Sequence, residues 1–188
     1  MGVLDEGERL TAADAAAWRA WLDENHDRAA GVWLLSVRGG AGDGLGYDDA
    51  VRQALCFGWI DGPVRTFAGV NAQWFSPRRP GSGWAATNKA RIAELEAAGL
   101  LAPAGLRVLV AAKADGSWML LDGPEAGIEP PELAAALDAV PGARTNWDAF
   151  PPSVKKFGLT HIATAKRAET RESRIAKIVA DAAEGKRP

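Results

Sequence analysis

Residues 54–62, the stretch ALCFGWIDG, mark the change from helix to sheet, because two different periodicities meet there. Apolar residues at helical spacing lead into it, and Gly58 within it is a typical helix stop. Two runs of β-forming residues follow, at 60–67 and 72–76, with a glycine-containing turn between them. The stretch therefore predicts a helix over 48–57, capped by its first residue, and then a β-hairpin.

Working outward towards the N-terminus, the pattern predicts a helix that begins after a capping arrangement at residues 11–14 and ends at Gly31. A short apolar run over 32–37 then predicts a buried strand. Five glycines within residues 39–46 predict a flexible loop. That loop lacks the Gly-Lys-Ser/Thr ending of a phosphate-binding loop, so nucleotide binding of that type is not expected.

Towards the C-terminus, we expect a helix that begins at Ser82 and a shorter one over 103–114. Residues 123–131 are rich in glycine, proline and acidic residues and predict a linker. Four helices are expected beyond it, the last of them capped by Thr170. That helix carries an apolar stripe of Ile175, Ile178, Val179 and Ala182, which we expect to dock on the N-terminal domain.

The predicted fold class is therefore α+β. A small antiparallel or mixed sheet with packed helices is expected over residues 1–122. An all-helical C-terminal module is expected over residues 130–188.

Composition places the chain among globular proteins and excludes extended disorder, since 47% of its 188 residues are hydrophobic and 24% are charged. The net charge of −2 favours neither nucleic acid nor an anionic membrane surface. No apolar run approaches the length of a membrane span, and the first residues lack the basic and apolar regions of a signal peptide. We therefore expect a cytoplasmic protein without a membrane span, and its single cysteine excludes an intramolecular disulfide.

The charge is unevenly distributed along the chain. Residues 150–188 contain nine Lys or Arg and four Asp or Glu, whereas residues 1–149 contain thirteen and twenty. One hypothesis is a phosphate-contacting surface, formed by Lys166, Arg167, Arg171, Arg174 and Lys177. No aromatic residues interleave with these cations and no nucleic-acid motif is present, so a solvated basic face is favoured and nucleic acid is not an expected partner.

Two parts of the chain resemble the YdeI/OmpD-associated, or bacteriocin-protection, family. In the N-terminal part the matching residues are Trp21, Leu22, 31–33, 54–62, Phe75, 77–79, Ser82, Trp84 and Asn88. In the C-terminal part they are 162–171 and 173–177. The resemblance implies a role in tolerance of antimicrobial peptides and envelope stress, and it assigns no reaction and no catalytic residues.

The residues that carry chemistry cluster around the predicted hairpin. The candidate ligand-binding residues are Trp59, Asp61, Arg78, Arg79, Ser82, Trp84 and Asn88. Two guanidinium groups beside a helix N-terminus suit a carboxylate or phosphate, and a tryptophan can stack on a planar ligand. In the alternative interpretation, an arginine pairs internally with Asp61 and Ser82 only caps a helix.

Three functions stay open. The first is a non-enzymatic binder of a small anionic or aromatic ligand or of a peptide or protein. The second is an enzyme with Asp61 as its general acid or base, acting on a small anionic substrate. The third is nucleic-acid binding through the basic C-terminal helices. No cofactor and no metal are expected, because His26 and His161 are far apart in sequence and lack further ligands at zinc-site spacing.

Overall fold

The computed structural model describes residues 3–35 and 44–188. Of the predicted glycine loop, residues 39–43 lie outside the described residues, as do residues 36–37 of the predicted strand. The chain divides into two compact units. Unit 1 comprises Met1–Ser82 and Thr87–Asp115, and unit 2 comprises Gly83–Ala86 and Gly116–Pro188.

Unit 1 is built around a mixed four-stranded sheet in the order β1-β2-β4-β3. Its strands are β1 (Glu8–Leu10), β2 (Val32–Leu35), β3 (Trp59–Phe67) and β4 (Val70–Pro77). Its helices are α1 (Val3–Glu6), α2 (Ala15–Asn25), α3 (Tyr47–Cys56), α4 (Ala86–Ala97) and α5 (Pro103–Ala114). β1 is parallel to β2, and the other two pairings are antiparallel, which confirms the predicted α+β class with its hairpin.

α2 begins directly after the predicted capping arrangement, although it ends at Asn25 and not at Gly31. The side chain of Asp14 caps α2 by accepting a hydrogen bond from the backbone N–H of Ala17 at 2.8 Å. α2 buries Trp18 and Leu22, and the indole N–H of Trp18 donates to the carbonyl of Ala50 in α3 at 3.0 Å. A buried hydrogen bond of this kind fixes how the two helices pack beside the sheet.

Three predicted caps are wrong. α3 begins at Tyr47 behind Gly46, because the carboxylate of Asp48 binds Arg91 at 2.7 Å and is not used as a cap. α4 begins at Ala86, four residues after Ser82, so Ser82 does not cap it. The last helix begins at Ala168 behind Arg167, so Thr170 lies inside it.

A β-bulge interrupts the hairpin close to the predicted site. The register between β3 and β4 shifts between Asp61 and Val64. The carbonyls of Gly62 and Pro63 accept hydrogen bonds from the side-chain amide of Gln73, at 2.6 and 3.5 Å. Bulges commonly re-aim neighbouring side chains, and this one lies between Asp61 and the exposed end of the hairpin.

Unit 2 contains only helices among its described residues. They are α6 (Asp122–Glu125), α7 (Pro131–Asp138), α8 (Ala143–Ala149), α9 (Pro152–Ala163) and α10 (Ala168–Ala183). The apolar stripe of α10 is buried, as its periodicity predicts. It packs in the core of unit 2 itself, with Leu133, Leu137 and Trp147, so the stripe does not require the N-terminal domain for its burial.

Residues of the predicted linker also take part in unit 2. Pro124 is buried. Glu129 accepts a hydrogen bond from the indole N–H of Trp147 at 2.8 Å and forms an ion pair with Arg144 at 2.9 Å. α1, β1 and α6 are short elements that the sequence patterns did not reveal. Across residues 3–35 and 44–188, no helix is both long and apolar enough to cross a bilayer.

Candidate functional site

The seven predicted site residues lie in different environments. Six of them belong to unit 1, and Trp84 belongs to unit 2. Four of them are buried: Trp59, Arg78, Trp84 and Asn88. Asp61 and Ser82 are half-buried, and Arg79 is exposed.

The two tryptophans pack as core residues. Trp59 is 1% exposed, donates its indole N–H to the carbonyl of His26 at 3.1 Å and lies edge-on to Trp21. Trp84 is also 1% exposed and packs against Trp118 with ring centroids 5.1 Å apart. Neither ring offers an open face of the size that a planar ligand needs for stacking.

Asp61 has two partners in unit 1. The hydroxyl of Tyr47 donates to its Oδ2 at 2.8 Å, and the charge of Arg78 acts on it. Burial lowers the pKa of Arg78 to about 10, and the attraction of Asp61 opposes that shift. Partial burial, followed by the hydrogen bond to Asp61, raises the pKa of Tyr47. Asp61 therefore interacts with one hydroxyl donor and with the charge of one arginine.

Asn88 and Arg91 form a second polar cluster. The Oδ1 of Asn88 accepts from Arg91 at 2.9 Å, and Arg91 also contacts the Oδ1 of Asp48 through two nitrogens, at 2.7 and 2.9 Å. Asn88 therefore orients an arginine on its own helix. Arg91 and Tyr47 are not among the site residues predicted from the sequence. Two signals could have identified them: Arg91 lies one turn after Asn88, and Tyr47 is the only tyrosine in the chain.

Two concave surfaces stand out, one in each unit. The first, here called the hairpin pocket, has a volume of about 240 Å³. Its walls include Leu34, Tyr47, Ala50, Val64, Gln73 and Phe75. The second, here called the α9–α10 groove, has a volume of about 590 Å³ and lies between the last two helices of unit 2. Its walls include Phe157, Gly158, His161, Ser173, Arg174, Lys177 and Ile178.

The floor of the α9–α10 groove depends on a glycine. A Cβ at Gly158 would lie 3.2 Å from the ring of Trp147 and 3.5 Å from Ile178. α9 therefore lies close to the core at this point, and the groove opens above Gly158.

The groove combines an exposed aromatic ring with fixed cations. Phe157 is 62% exposed and stacks parallel to the imidazole of His161 at a centroid distance of 6.3 Å. Arg174 donates to the carbonyl of His161, and Lys177 forms an ion pair with Asp181 at 2.8 Å. Burial and the charge of Arg174 lower the pKa of His161, which favours the neutral imidazole.

The described residues give little support to a metal site or to a nucleic-acid interface. Residues 3–35 and 44–188 contain no group of three His, Cys, Asp or Glu that could hold a metal ion. Several of the basic C-terminal residues have acidic or carbonyl partners: Arg171 binds Glu132 at 2.7 Å, and Lys177 binds Asp181. These ion pairs reduce the charge that a phosphate backbone would meet.

Cys56 is expected to be unreactive in the folded protein. Its side chain is buried, and burial raises the pKa of its thiol, which lowers the thiolate fraction that reacts with electrophiles. Native-state labelling with a thiol reagent should therefore be at least about a hundredfold slower than labelling of the denatured chain. Rapid stoichiometric labelling of the native protein would contradict this expectation.

Comparisons with known families match both parts of the chain. Residues 10–108 match the family described as Domain of unknown function (DUF8412). Residues 127–185 match the family described as Bacteriocin-protection, YdeI or OmpD-Associated. The second match covers the C-terminal helices, whereas the signature at 54–88 falls within the first. No curated protein and no solved structure gives a significant match.

Proposed function

The chain belongs to the family described as Domain of unknown function (DUF8412) and carries a bacteriocin-protection, YdeI or OmpD-associated region, and from this premise we propose that it is a non-enzymatic binding protein whose α9–α10 groove takes an aromatic anion. The groove lies within the residues that match the bacteriocin-protection family, except for its last wall residue. The observation that carries the proposal is the exposed ring of Phe157 beside Arg174 and Lys177.

The size of the groove suits a small organic ligand or one large side chain of a peptide. Its volume of about 590 Å³ falls within the range of about 300–1,000 Å³ that is typical of ligand sites. Most of its wall surface is apolar, although seven of the eleven wall residues are polar or charged. A few polar groups on an apolar surface are the usual composition of a site that orients its ligand.

The aromatic part of the ligand is expected at the Phe157–His161 stack. An exposed phenylalanine leaves apolar surface in water, and covering its ring with a second ring removes that surface. Aromatic pairs contribute about 0.5–1.5 kcal/mol beyond the buried area. The lowered pKa of His161 keeps its imidazole neutral, so the stack adds no charge that would need solvation.

The anionic part is expected mainly at Arg174, because the charge of Lys177 is already shared with Asp181. Both cations line the groove, and Arg174 is held in place by its bond to the carbonyl of His161. Two acidic residues, Glu169 and Asp181, also line it, and Asp181 is already paired with Lys177. A guanidinium that is already oriented loses little entropy when it binds a carboxylate.

An enzyme that uses Asp61 is the weaker alternative. A general acid or base needs a side chain that is free to exchange its proton with the substrate. The carboxylate of Asp61 instead accepts a hydrogen bond from Tyr47 and compensates the charge of Arg78. A cytoplasmic location and a contribution to peptide tolerance remain part of the proposal; the second follows from the family description.

Titration with 4-phenylbutyrate tests the groove. We expect a Kd on the order of 1 mM, as is usual for a ligand of this size. Phe157→Ala should weaken binding by about three- to tenfold, because it removes the ring that the ligand covers. The matched control is Met119→Ala, since Met119 is also in unit 2 and also 62% exposed, but does not line the groove.

A second pair of variants tests the charge. Lys177→Gln should weaken binding by about two- to fivefold. Lys186→Gln should leave binding unchanged, although Lys186 forms a comparable ion pair with Glu184 outside the groove. Equal affinities of the Phe157 and Met119 variants, or no binding to the wild type, would overturn the proposal.

A further inference from the structure

The hairpin pocket of unit 1 has no role in the function proposed above, yet it lies within the most distinctive part of the sequence. We propose that it is a second ligand site, and that it takes a small primary amine with an apolar body. The shape of the pocket and the hydrogen bonds at its rim support this proposal.

The floor of the pocket is apolar and buried. Leu34, Ala50, Ala72 and Phe75 are buried and belong to β2, β4 and α3. Its volume of about 240 Å³ accommodates an aromatic ring or a short alkyl chain. An apolar body of that size is favoured because the floor offers no polar partner to a hydrated group.

The rim exposes apolar surface that a ligand would cover. Tyr47 is 56% exposed and Val64 is 60% exposed, and both line the pocket. Most large apolar side chains of unit 1 are buried, so two exposed ones at the edge of one concave surface mark it as a binding surface.

At two positions of the rim, Tyr47 and Gln73, the polar side chain has no proton left to donate to a ligand. The single hydroxyl proton of Tyr47 is donated to Asp61, so its oxygen can only accept from a ligand. The amide of Gln73 directs its nitrogen to the carbonyls of Gly62 and Pro63, which leaves its oxygen as an acceptor. A ligand with hydrogen-bond donors can therefore bind to the oxygens of Tyr47 and Gln73. A ligand that has only acceptors cannot.

The bulge explains why Gln73 is used in this way. The carbonyls of Gly62 and Pro63 lie where the β3–β4 register shifts, and Pro63 has no N–H to contribute to the ladder. Gln73 satisfies both carbonyls with its side chain. The same irregularity therefore sets the acceptor character of the rim and adjoins the carboxylate of Asp61.

Charge supports an amine over a neutral alcohol. At neutral pH a primary amine is an ammonium with three donors. Carboxylates lie close to the rim: Asp61 accepts from Tyr47 at 2.8 Å, and Asp49 would lie 3.6 Å from a Cβ at Gly46, which lines the pocket.

Two cations also interact electrostatically with Asp61 and Tyr47. Arg78 interacts with Asp61 itself. Arg91 interacts with Tyr47, but its charge is compensated by an ion pair with Asp48.

The test is a titration of the ¹⁵N-labelled protein with phenethylamine, followed by amide chemical shifts. We expect saturable shifts at Tyr47, Val64 and Gln73. The carboxylate 3-phenylpropionate should not shift these amides, and phenethyltrimethylammonium, a cation without N–H donors, should bind at least about fivefold more weakly. Val64→Arg, which places charge and bulk at the rim, should weaken amine binding at least about tenfold.

The matched control is Val70→Arg, because Val70 is an exposed valine on the same hairpin that does not line the pocket. Its affinity for phenethylamine should equal that of the wild type. The proposal would be overturned if these amides showed no shifts up to about 10 mM amine. It would also be overturned if the three probes gave equal responses, or if the two valine variants had equal effects. The α9–α10 groove is tested by other residues and an anionic probe, so either site can fail alone.

Discussion

Arg78→Ala is expected to lower the free energy of unfolding by about 2–4 kcal/mol. Arg78 is 8% exposed, so its removal leaves a cavity where the guanidinium and its aliphatic stem pack. It also leaves the half-buried carboxylate of Asp61 without its cationic partner. Chemical denaturation with a single well-resolved transition measures the change.

The neighbouring arginine provides the control. Arg79 is exposed and follows Arg78 directly, and Arg79→Ala should change the free energy of unfolding by less than about 0.5 kcal/mol. Both arginines are candidate ligand-binding residues by sequence, and of the two only Arg79 is exposed. A stability loss that is equal for both variants, or absent for Arg78→Ala, would contradict the structural role of Arg78.

Gly105→Ala should be of similar severity, lowering the free energy of unfolding by about 2–3 kcal/mol. Gly105 faces the end of α3, where an added Cβ would clash with the carbonyl oxygen of Cys56 and lie 2.8 Å from its carbonyl carbon. That carbonyl already accepts the backbone N–H of Ala102 at 3.0 Å, just before α5 begins. The clash is with the backbone, which cannot rotate away, so α5 itself must shift.

Gly46→Ala is the matched substitution in the same unit. A Cβ at Gly46 would meet only the carboxylate of Asp49 at 3.6 Å, which is an ordinary contact. We expect a change within about 0.5 kcal/mol, of either sign. If Gly105→Ala were as well tolerated as Gly46→Ala in the same denaturation experiment, the close packing of α5 on α3 would be incorrect.

Most of the secondary structure could be predicted because it depends on local patterns. The periodicity around residues 54–62 placed α3 and the hairpin, and α5 was predicted with the bounds Pro103–Ala114 that it has. The caps failed where a side chain had a better partner elsewhere, as Asp48 has in Arg91. Such partners are distant in sequence, and no local pattern reports them.

The candidate site was harder to predict. Trp59 and Trp84 lie near charges and turns in sequence but are buried in the structure, because proximity along the chain does not determine which face of an element is covered. The α9–α10 groove has no sequence motif, since it is the space left where Gly158 allows α9 to approach the core. Phe157 gave the one usable signal, as an aromatic residue that does not fit the apolar face of α9 formed by Leu159 and Ile162.

The most direct test of the binding proposal locates the ligand. In the complex of the isotope-labelled protein with 4-phenylbutyrate, intermolecular NOEs should connect the aromatic protons of the ligand with the ring of Phe157 and the methyl groups of Ile178, both of which line the groove. We expect these contacts in the wild type and their loss in Phe157→Ala. NOEs to other residues only, with Phe157 and Ile178 unaffected, would contradict the assignment of the α9–α10 groove as the binding site.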